Sequence, residues 1–265
     1  MKKPFNYLKN FGIFLLVSPF LVVWAPSILE GFLSDFTPAY RSSLVLSFQQ
    51  LSITLLATLL FAAAITLILG YVSILWSTLG KIIASVLEAI ESVPAILIVL
   101  FFYAPVSGYL ASHSKASSSA VSLMIFVFAA TLTILPESIR GITLPLGELY
   151  YRKYSLSFRS YGFRRRKILA ILMNTDVMRH AFKRIAAGIL LKILVLDTSF
   201  GFIIQLGFGS YGTPAHASPG ALIAANRDAL FQGGSPLLFW LPVLPLVMIS
   251  IAFLLVLSKN KGNEI

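Results

Sequence analysis

The chain contains no cysteine among its 265 residues. Disulfides, thiolate metal ligation and a cysteine nucleophile are therefore excluded, while the redox compartment stays open. Charge is also scarce. Asp, Glu, Lys and Arg together make up 12% of the residues, against about 25% in a soluble globular chain. Acidic residues are the rarer kind, ten against 21 Lys and Arg, for a formal net charge of +11. A Gly-x-x-x-x-Gly-Lys-Ser/Thr loop is missing too, so the chain holds no P-loop of its own. Its nearest glycine pattern is Gly207-Phe-Gly209-Ser-Tyr-Gly212. That stretch follows an apolar run and leads into Thr213-Pro214 instead of opening a βαβ helix, which excludes a dinucleotide site.

What the chain has instead is apolar length. Hydrophobic residues make up 57% and mean hydropathy is +0.87. Such a chain cannot cover itself with polar surface, so part of its solvent is lipid. Crossing the hydrocarbon takes roughly 20 apolar residues. Six runs qualify by composition: Phe11 to Ile28, Phe48 to Gly70, Ile82 to Ala104, Ala120 to Ile139, Ile185 to Leu206 and Pro236 to Ser258. They are continuously apolar and do not alternate at period two, which argues for helices over barrel strands. The expectation is an all-α integral membrane protein of about six transmembrane helices. The first run lacks a small-x-small cleavage site, Val23-Trp24-Ala25 being too bulky, so it is read as retained.

The basic residues orient these runs. With the N-terminus in the cytoplasm, all of the 21 Lys and Arg fall on that side except Arg41, Lys115, Arg227 and Lys192. This positive-inside asymmetry places both termini in the cytoplasm and requires an even helix count. It also accounts for the basicity without nucleic acid. The corresponding organisation is residues 1–46 as first helix and external linker, 47–258 as the transmembrane domain and 259–265 as a cytoplasmic tail. Outside lie the linker from Glu30 to Gln50, with Pro38 as a breaker, the Ser-rich Gly108 to Ser119, and a Gly- and Pro-rich stretch from Gly207 to Ser235. A loop as long as the last is more often functional than filler.

Ionisable groups inside the apolar runs are functional candidates by default. Glu88 and Glu91 lie one turn apart near the cytoplasmic end of the third run, just before Pro94. Pairing with basic residues of the following cytoplasmic segment is their first role, lining a pathway their second. Lys192 and Asp197 share the fifth run but not one helical face. Lys192 is read as an interhelical or snorkelling charge and Asp197 as lying near the outer end, within reach of water. Ser52, Thr54 and Thr58 are either polar pathway groups or small packing residues. The three histidines, His113, His180 and His216, have no ligand spacing, and no metal site is expected.

The cytoplasmic segment from Arg140 to Arg184 has room for two short helices with a turn at Gly162. Leu156, Phe158 and Tyr161 precede that glycine among polar neighbours, and a basic run follows it. Two readings stand level: an amphipathic helix on anionic headgroups, or a helix offered to the groove of a cytosolic partner.

At this segment the chain resembles the permease subunits of ATP-binding-cassette importers, in particular the dipeptide, oligopeptide and nickel branch. Those permeases carry a Glu-Ala-Ala-x-x-x-Gly coupling motif preceded by Tyr. Tyr154 stands at the Tyr position, Leu156-Ser157-Phe158 at Glu-Ala-Ala, Arg159 at the usual Arg and Gly162 at the Gly, followed by Phe163 and Lys167-Ile168-Leu169. The motif's Glu and both alanines are replaced, so the likeness is to a divergent member. Leu135-Pro136 with Arg140, Val93-Pro94-Ala95, Leu206-Gly207-Phe208-Gly209 and Pro219-Gly220-Ala221-Leu222-Ile223-Ala224 with Arg227-Asp228 are similar to further stretches of that branch, and the likeness runs from about Gln49 to Leu257.

The resemblance implies a type I importer fold in a bacterial inner membrane, with a cytoplasmic coupling helix between the fourth and fifth spans. It implies two ATPase subunits that bind ATP-Mg and grip Tyr154, Leu156, Ser157, Phe158, Arg159, Gly162 and Phe163. It further implies a second homologous permease subunit, an extracytoplasmic substrate-binding protein and surrounding membrane lipid, with no cofactor in this chain. The competing class is a channel-like or enzymatic membrane protein without an ATPase, for which paired carboxylates or a His-rich cluster at the membrane face would be wanted and are not evident.

The missing thiol makes the orientation testable. In right-side-out membranes a membrane-impermeant maleimide should label Ser117→Cys, whereas Arg166→Cys should react only after the membrane is opened. Labelling of Arg166→Cys in sealed membranes would reverse the topology.

Overall fold

A computed structural model of the chain describes residues 3–25, 33–113, 118–208, 217–231 and 235–257. Among these residues the protein is all helix and turn, with no strand. The helices are α1 (Lys3–Trp24), α2 (Pro38–Leu75), α3 (Ser77–Glu91), α4 (Ala95–His113), α5 (Ser118–Tyr151), α6 (Lys153–Ser160), α7 (Arg165–Met173), α8 (Asp176–Phe208), α9 (Pro219–Ala225) and α10 (Leu237–Leu257). A single 3₁₀ turn, Arg227–Leu230, lies between the last two.

Among the described residues three helices are long and apolar enough to cross a membrane: α2, most of α5 and most of α8. The pair α3 and α4 passes the same test jointly but is bent by 85°. Two shorter apolar stretches, Asn10–Leu21 and Leu237–Phe253, lie in α1 and α10. Large apolar side chains stand on the outside, among them Leu60, Phe101, Met124 and Phe128, at 56–76% exposure. A water-soluble protein rarely leaves so many large apolar side chains uncovered; lipid removes the penalty.

Several boundaries differ from the sequence expectation, each for a local reason. Pro38 does not break the linker but opens α2. Thr37 Oγ1 accepts from the Tyr40 amide at 3.4 Å, an N-cap with proline in the first helical position, where its missing N–H is no loss. Consequently α2 runs unbroken through residues 46 and 47. The third run is not one helix. Pro94 cannot donate to the ladder and pushes Val93 out of helical geometry, so α3 stops at Glu91 and α4 restarts at a sharp angle. By contrast α5 passes through both Pro136 and Pro145 to Tyr151, which puts Arg140 on a helix and shortens the expected cytoplasmic segment to the chain between α5 and α8. The Ser-rich stretch expected outside is mostly helical, since α4 reaches His113 and α5 begins at Ser118. Within the long Gly- and Pro-rich stretch, residues 219–225 form α9 and residues 227–230 the 3₁₀ turn; residues 209–216 and 232–234 lie outside the described residues.

The chain forms two compact units, Met1–Leu55 with Tyr103–Met124 and Ile193–Ile265, and Leu56–Phe102 with Ile125–Lys192. In the first, α1 and α9 pack along α10. The Trp24 indole donates to Ser52 Oγ at 3.3 Å, and the Tyr40 hydroxyl donates to the Leu238 carbonyl at 2.7 Å. Tyr103 accepts from Ser122 Oγ at 2.9 Å and meets Phe200 edge-on at 4.8 Å. Ser218 caps α9 by accepting from the Ala221 amide at 3.2 Å. Gly220 and Gly201 let α9 and α8 touch backbone to backbone: a Cβ on Gly220 would overlap the Thr198 carbonyl, and one on Gly201 would overlap Ser218.

In the second unit, one cluster joins Leu87 of α3 to Leu135 and Ile139 of α5, with Ile65 and Leu69 of α2 against it. A larger cluster joins Ile142, Leu146, Leu149 and Tyr150 of α5 to Ile168, Leu169 and Leu172 of α7 and Met178 of α8.

The close contact at Gly220 gives a stability test. Gly220→Ala forces α9 off α8 and should destabilise the protein by about 1–3 kcal/mol, the usual range for overpacking. The readout is a lowered midpoint of thermal unfolding in detergent; an unchanged midpoint would show that α9 does not sit there.

Candidate functional site

The helix–turn–helix between α5 and α8 is built by a sequence of backbone devices. Arg152 is extended and starts α6 without a side-chain cap. Eight residues later the helix closes in a Schellman motif. The Phe163 amide donates to the Phe158 carbonyl at 3.1 Å and the Gly162 amide to the Arg159 carbonyl at 2.9 Å. Gly162 takes the left-handed position, with φ +76°. Phe158 and Phe163 make the apolar contact that accompanies such a motif, edge-on at 5.8 Å between ring centres. Arg164 is again extended and starts α7.

The inward and outward faces of α6 follow from helical spacing. Ser155 and Phe158, three apart, share one face. Ser155 is buried and Phe158 packs on the α5–α7 cluster. Leu156 and Tyr161 point outward, at 51% and 80% exposure, and Ser157 is exposed with them. Of the residues the sequence nominated for gripping an ATPase, Leu156, Ser157 and Gly162 lie on the outer surface, while Phe158, Arg159 and Phe163 serve the fold itself. The side chain of Tyr154 lies outside the described residues.

Tyr150, at the end of α5, holds the two short helices. The Arg159 guanidinium lies 4.0 Å from the centre of its ring, and Arg165 of α7 lies 5.2 Å from it. Cation–π contacts of this kind contribute from about 0.5 kcal/mol when exposed to about 2 kcal/mol when desolvated. Arg159 also donates from Nη2 to the Tyr150 carbonyl at 2.8 Å, satisfying an acceptor at the end of α5. Arg165 donates from Nη2 to the Ile74 carbonyl at 2.5 Å, one residue from the end of α2, and the Tyr71 hydroxyl donates to the Arg166 carbonyl at 3.3 Å. Thus α6 is tied to α5, and α7 to both α5 and α2. Sequence reasoning passed over Tyr150, Tyr151 and Arg165; the signal available was the aromatic doublet next to the basic run.

The nominated charges within the apolar helices take identifiable partners. Glu91 accepts from Arg140 at 2.7 Å, and Glu88 lies 3.9 Å from the same guanidinium. All three are part-exposed, so each pair adds at most about 1 kcal/mol. Beside them Ser73, Ser77, Lys81, Leu87, Ile139 and Arg140 line an open groove of about 320 Å³. Pro94 sits at the bend between α3 and α4. Lys192 pairs with Glu137 of α5. Asp197 is buried at 1% exposure, not within reach of water as expected. Ser52, Thr54 and Thr58 are buried as well, with Ser52 Oγ donating to the Gln49 carbonyl at 2.7 Å. Among the described residues no three His, Asp or Glu side chains gather as a metal site; the side chain of His113 and the whole of His216 lie outside them.

The sequence matches no protein-family model, and neither the curated proteins nor the solved structures hold a match to it.

The Tyr150 clamp predicts a localised effect. Tyr150→Leu should speed backbone hydrogen exchange across residues 152–173 while α5 upstream stays protected, and Tyr150→Phe should keep protection because the ring remains. Equal protection in Tyr150→Leu would mean that the arginines do not hold these helices through the ring.

Proposed function

We propose that this protein is the permease subunit of an ATP-binding-cassette transporter in a bacterial inner membrane. In this reading α1, α2, the bent pair α3–α4, α5, α8 and α10 make six spans with both termini in the cytoplasm. Residues 152–175 form the handle on which a separate pair of ATPase subunits acts. A second permease subunit completes the pathway, and an extracytoplasmic binding protein delivers a peptide or related small solute. The chain does no chemistry on its cargo.

One observation carries the proposal. A short helix, a glycine-closed turn and a second short helix are packed inward by Phe158, Ile168 and Leu169 and pinned by arginines to the ends of two long apolar helices. A push on the outer face of α6 or α7 would be delivered to α5 through Tyr150 and to α2 through Ile74. A segment that merely rested on headgroups would not need pins to two helices. The ion pairs of Arg140 with Glu88 and Glu91, and of Lys192 with Glu137, join α3 and α8 to α5. Alternating access around a site near the bilayer midplane is the motion this reading requires.

The decisive experiment is purification of the tagged full-length protein from its own membranes in mild detergent. A P-loop ATPase should co-purify with ATP hydrolysis in the eluate. Its consistent absence would favour a channel-like or enzymatic membrane protein. In the assembled complex Gly162→Val places a β-branched residue in the left-handed region, costing on the order of 1–2 kcal/mol or more. It should lower transport per ATP hydrolysed while leaving membrane insertion intact. Gly162→Asn, which tolerates that backbone, should retain most of the coupling. Full uptake by Gly162→Val would remove the turn from the mechanism.

A further inference from the structure

The outer face of this handle bears charge of a single sign. No acidic residue occurs between Glu148 and Asp176, and Asp176 faces Arg179 at 3.5 Å. In that interval Arg152, Lys153, Arg164, Arg166 and Lys167 are all exposed. The other two basic residues there, Arg159 and Arg165, are engaged with Tyr150 and the Ile74 carbonyl. Among the exposed charges stand Tyr151 at 72%, Leu156 at 51% and Tyr161 at 80% exposure, with Ile171 of α7 at 40%.

We infer that the surface receiving this face is a protein groove with an apolar floor for Leu156 and Tyr161 and a rim of Asp and Glu carboxylates. The inference rests on the reading of residues 152–175 as the ATPase-docking segment, and it names the chemistry of the partner's side. Two observations favour a protein over an anionic membrane. A helix lying in a membrane interface needs a continuous apolar face over several turns. Here α6 is 8 residues and α7 is 9 residues long, and their apolar faces are buried in the protein's own core through Phe158, Ile168, Leu169 and Leu172. What is left outside is scattered large side chains, two tyrosines, Leu156 and Ile171, among cations, the composition of an interface centre with a charged surround. An all-basic face meeting a basic or neutral socket would desolvate its charges without return, whereas opposed carboxylates give both register and encounter rate.

The full-length protein, purified with its ATPase, provides the test. ATP hydrolysis retained on the affinity matrix is compared at about 50 mM and about 500 mM NaCl, between which the screening length falls from roughly 14 Å to roughly 4 Å. Retention should drop by about tenfold or more, the sum expected of several screened surface pairs. Lys153→Glu/Arg164→Glu/Arg166→Glu should lose the ATPase even at the lower salt. The charge-conserving Lys153→Arg/Arg164→Lys/Arg166→Lys should keep it, with both variants inserted normally. Retention indifferent to salt and to reversal would overturn the acidic rim while leaving ATPase docking in place. Retention of the ATPase by the reversed variant together with loss of co-purifying anionic phospholipid would also overturn it, assigning the face to lipid. No ATPase on the unaltered protein at either salt would sink the docking reading, and the inference with it.

Discussion

A backbone that crosses an apolar medium has to satisfy its own N–H and C=O groups, and that constraint organises this protein. With only 12% charged residues, the chain has few side chains able to cover an open backbone. Helix is the one conformation that closes all its bonds internally, and the described residues adopt it almost without interruption. Breaks occur where something local replaces the lost bonds. At Ser92 the amide donates to the Glu88 carbonyl at 3.1 Å, and the hydroxyl donates to the Ala89 carbonyl at 2.7 Å. At Gly162 the Schellman bonds do the same.

This constraint explains why the candidate site is where it is. The end of α5 leaves carbonyls without helical partners. Arg159 covers one of them, and its guanidinium then lies over the Tyr150 ring, 4.0 Å from its centre. The end of α2 leaves another set, and Arg165 reaches the Ile74 carbonyl. Two arginines on a short helical hairpin thus terminate two long helices. The need for helix-end partners and the mechanical tie proposed above are one set of contacts.

Gly162 and Gly220 contribute for different reasons. Gly162 has open space where a Cβ would stand, so its role is its left-handed backbone. Gly220 has an ordinary backbone, and its role is the absence of a side chain where α9 meets the Thr198 carbonyl. The first permits a reversal between helices; the second permits helix–helix contact of the kind favoured where small residues let backbones approach.

Much was legible in composition and period alone. Continuous apolar runs of membrane-crossing length require helices, and the basic stretch around a glycine marks a polar reversal between α5 and α8, because neither property depends on what packs where. The remainder was decided by packing. Pro94 bends the chain by 85° while α5 absorbs Pro136 and Pro145: a proline removes one hydrogen bond locally, but whether the helix resumes in line depends on what lies against its faces. Phe158 and Tyr161 are both aromatic residues before a glycine, yet one enters the core and the other stands at 80% exposure. Arg159 reads as a partner contact in one dimension; in three it also packs on Tyr150, nine residues back along the chain. Side-chain direction depends on which face of a helix meets another element, and only the tertiary fold supplies that neighbour.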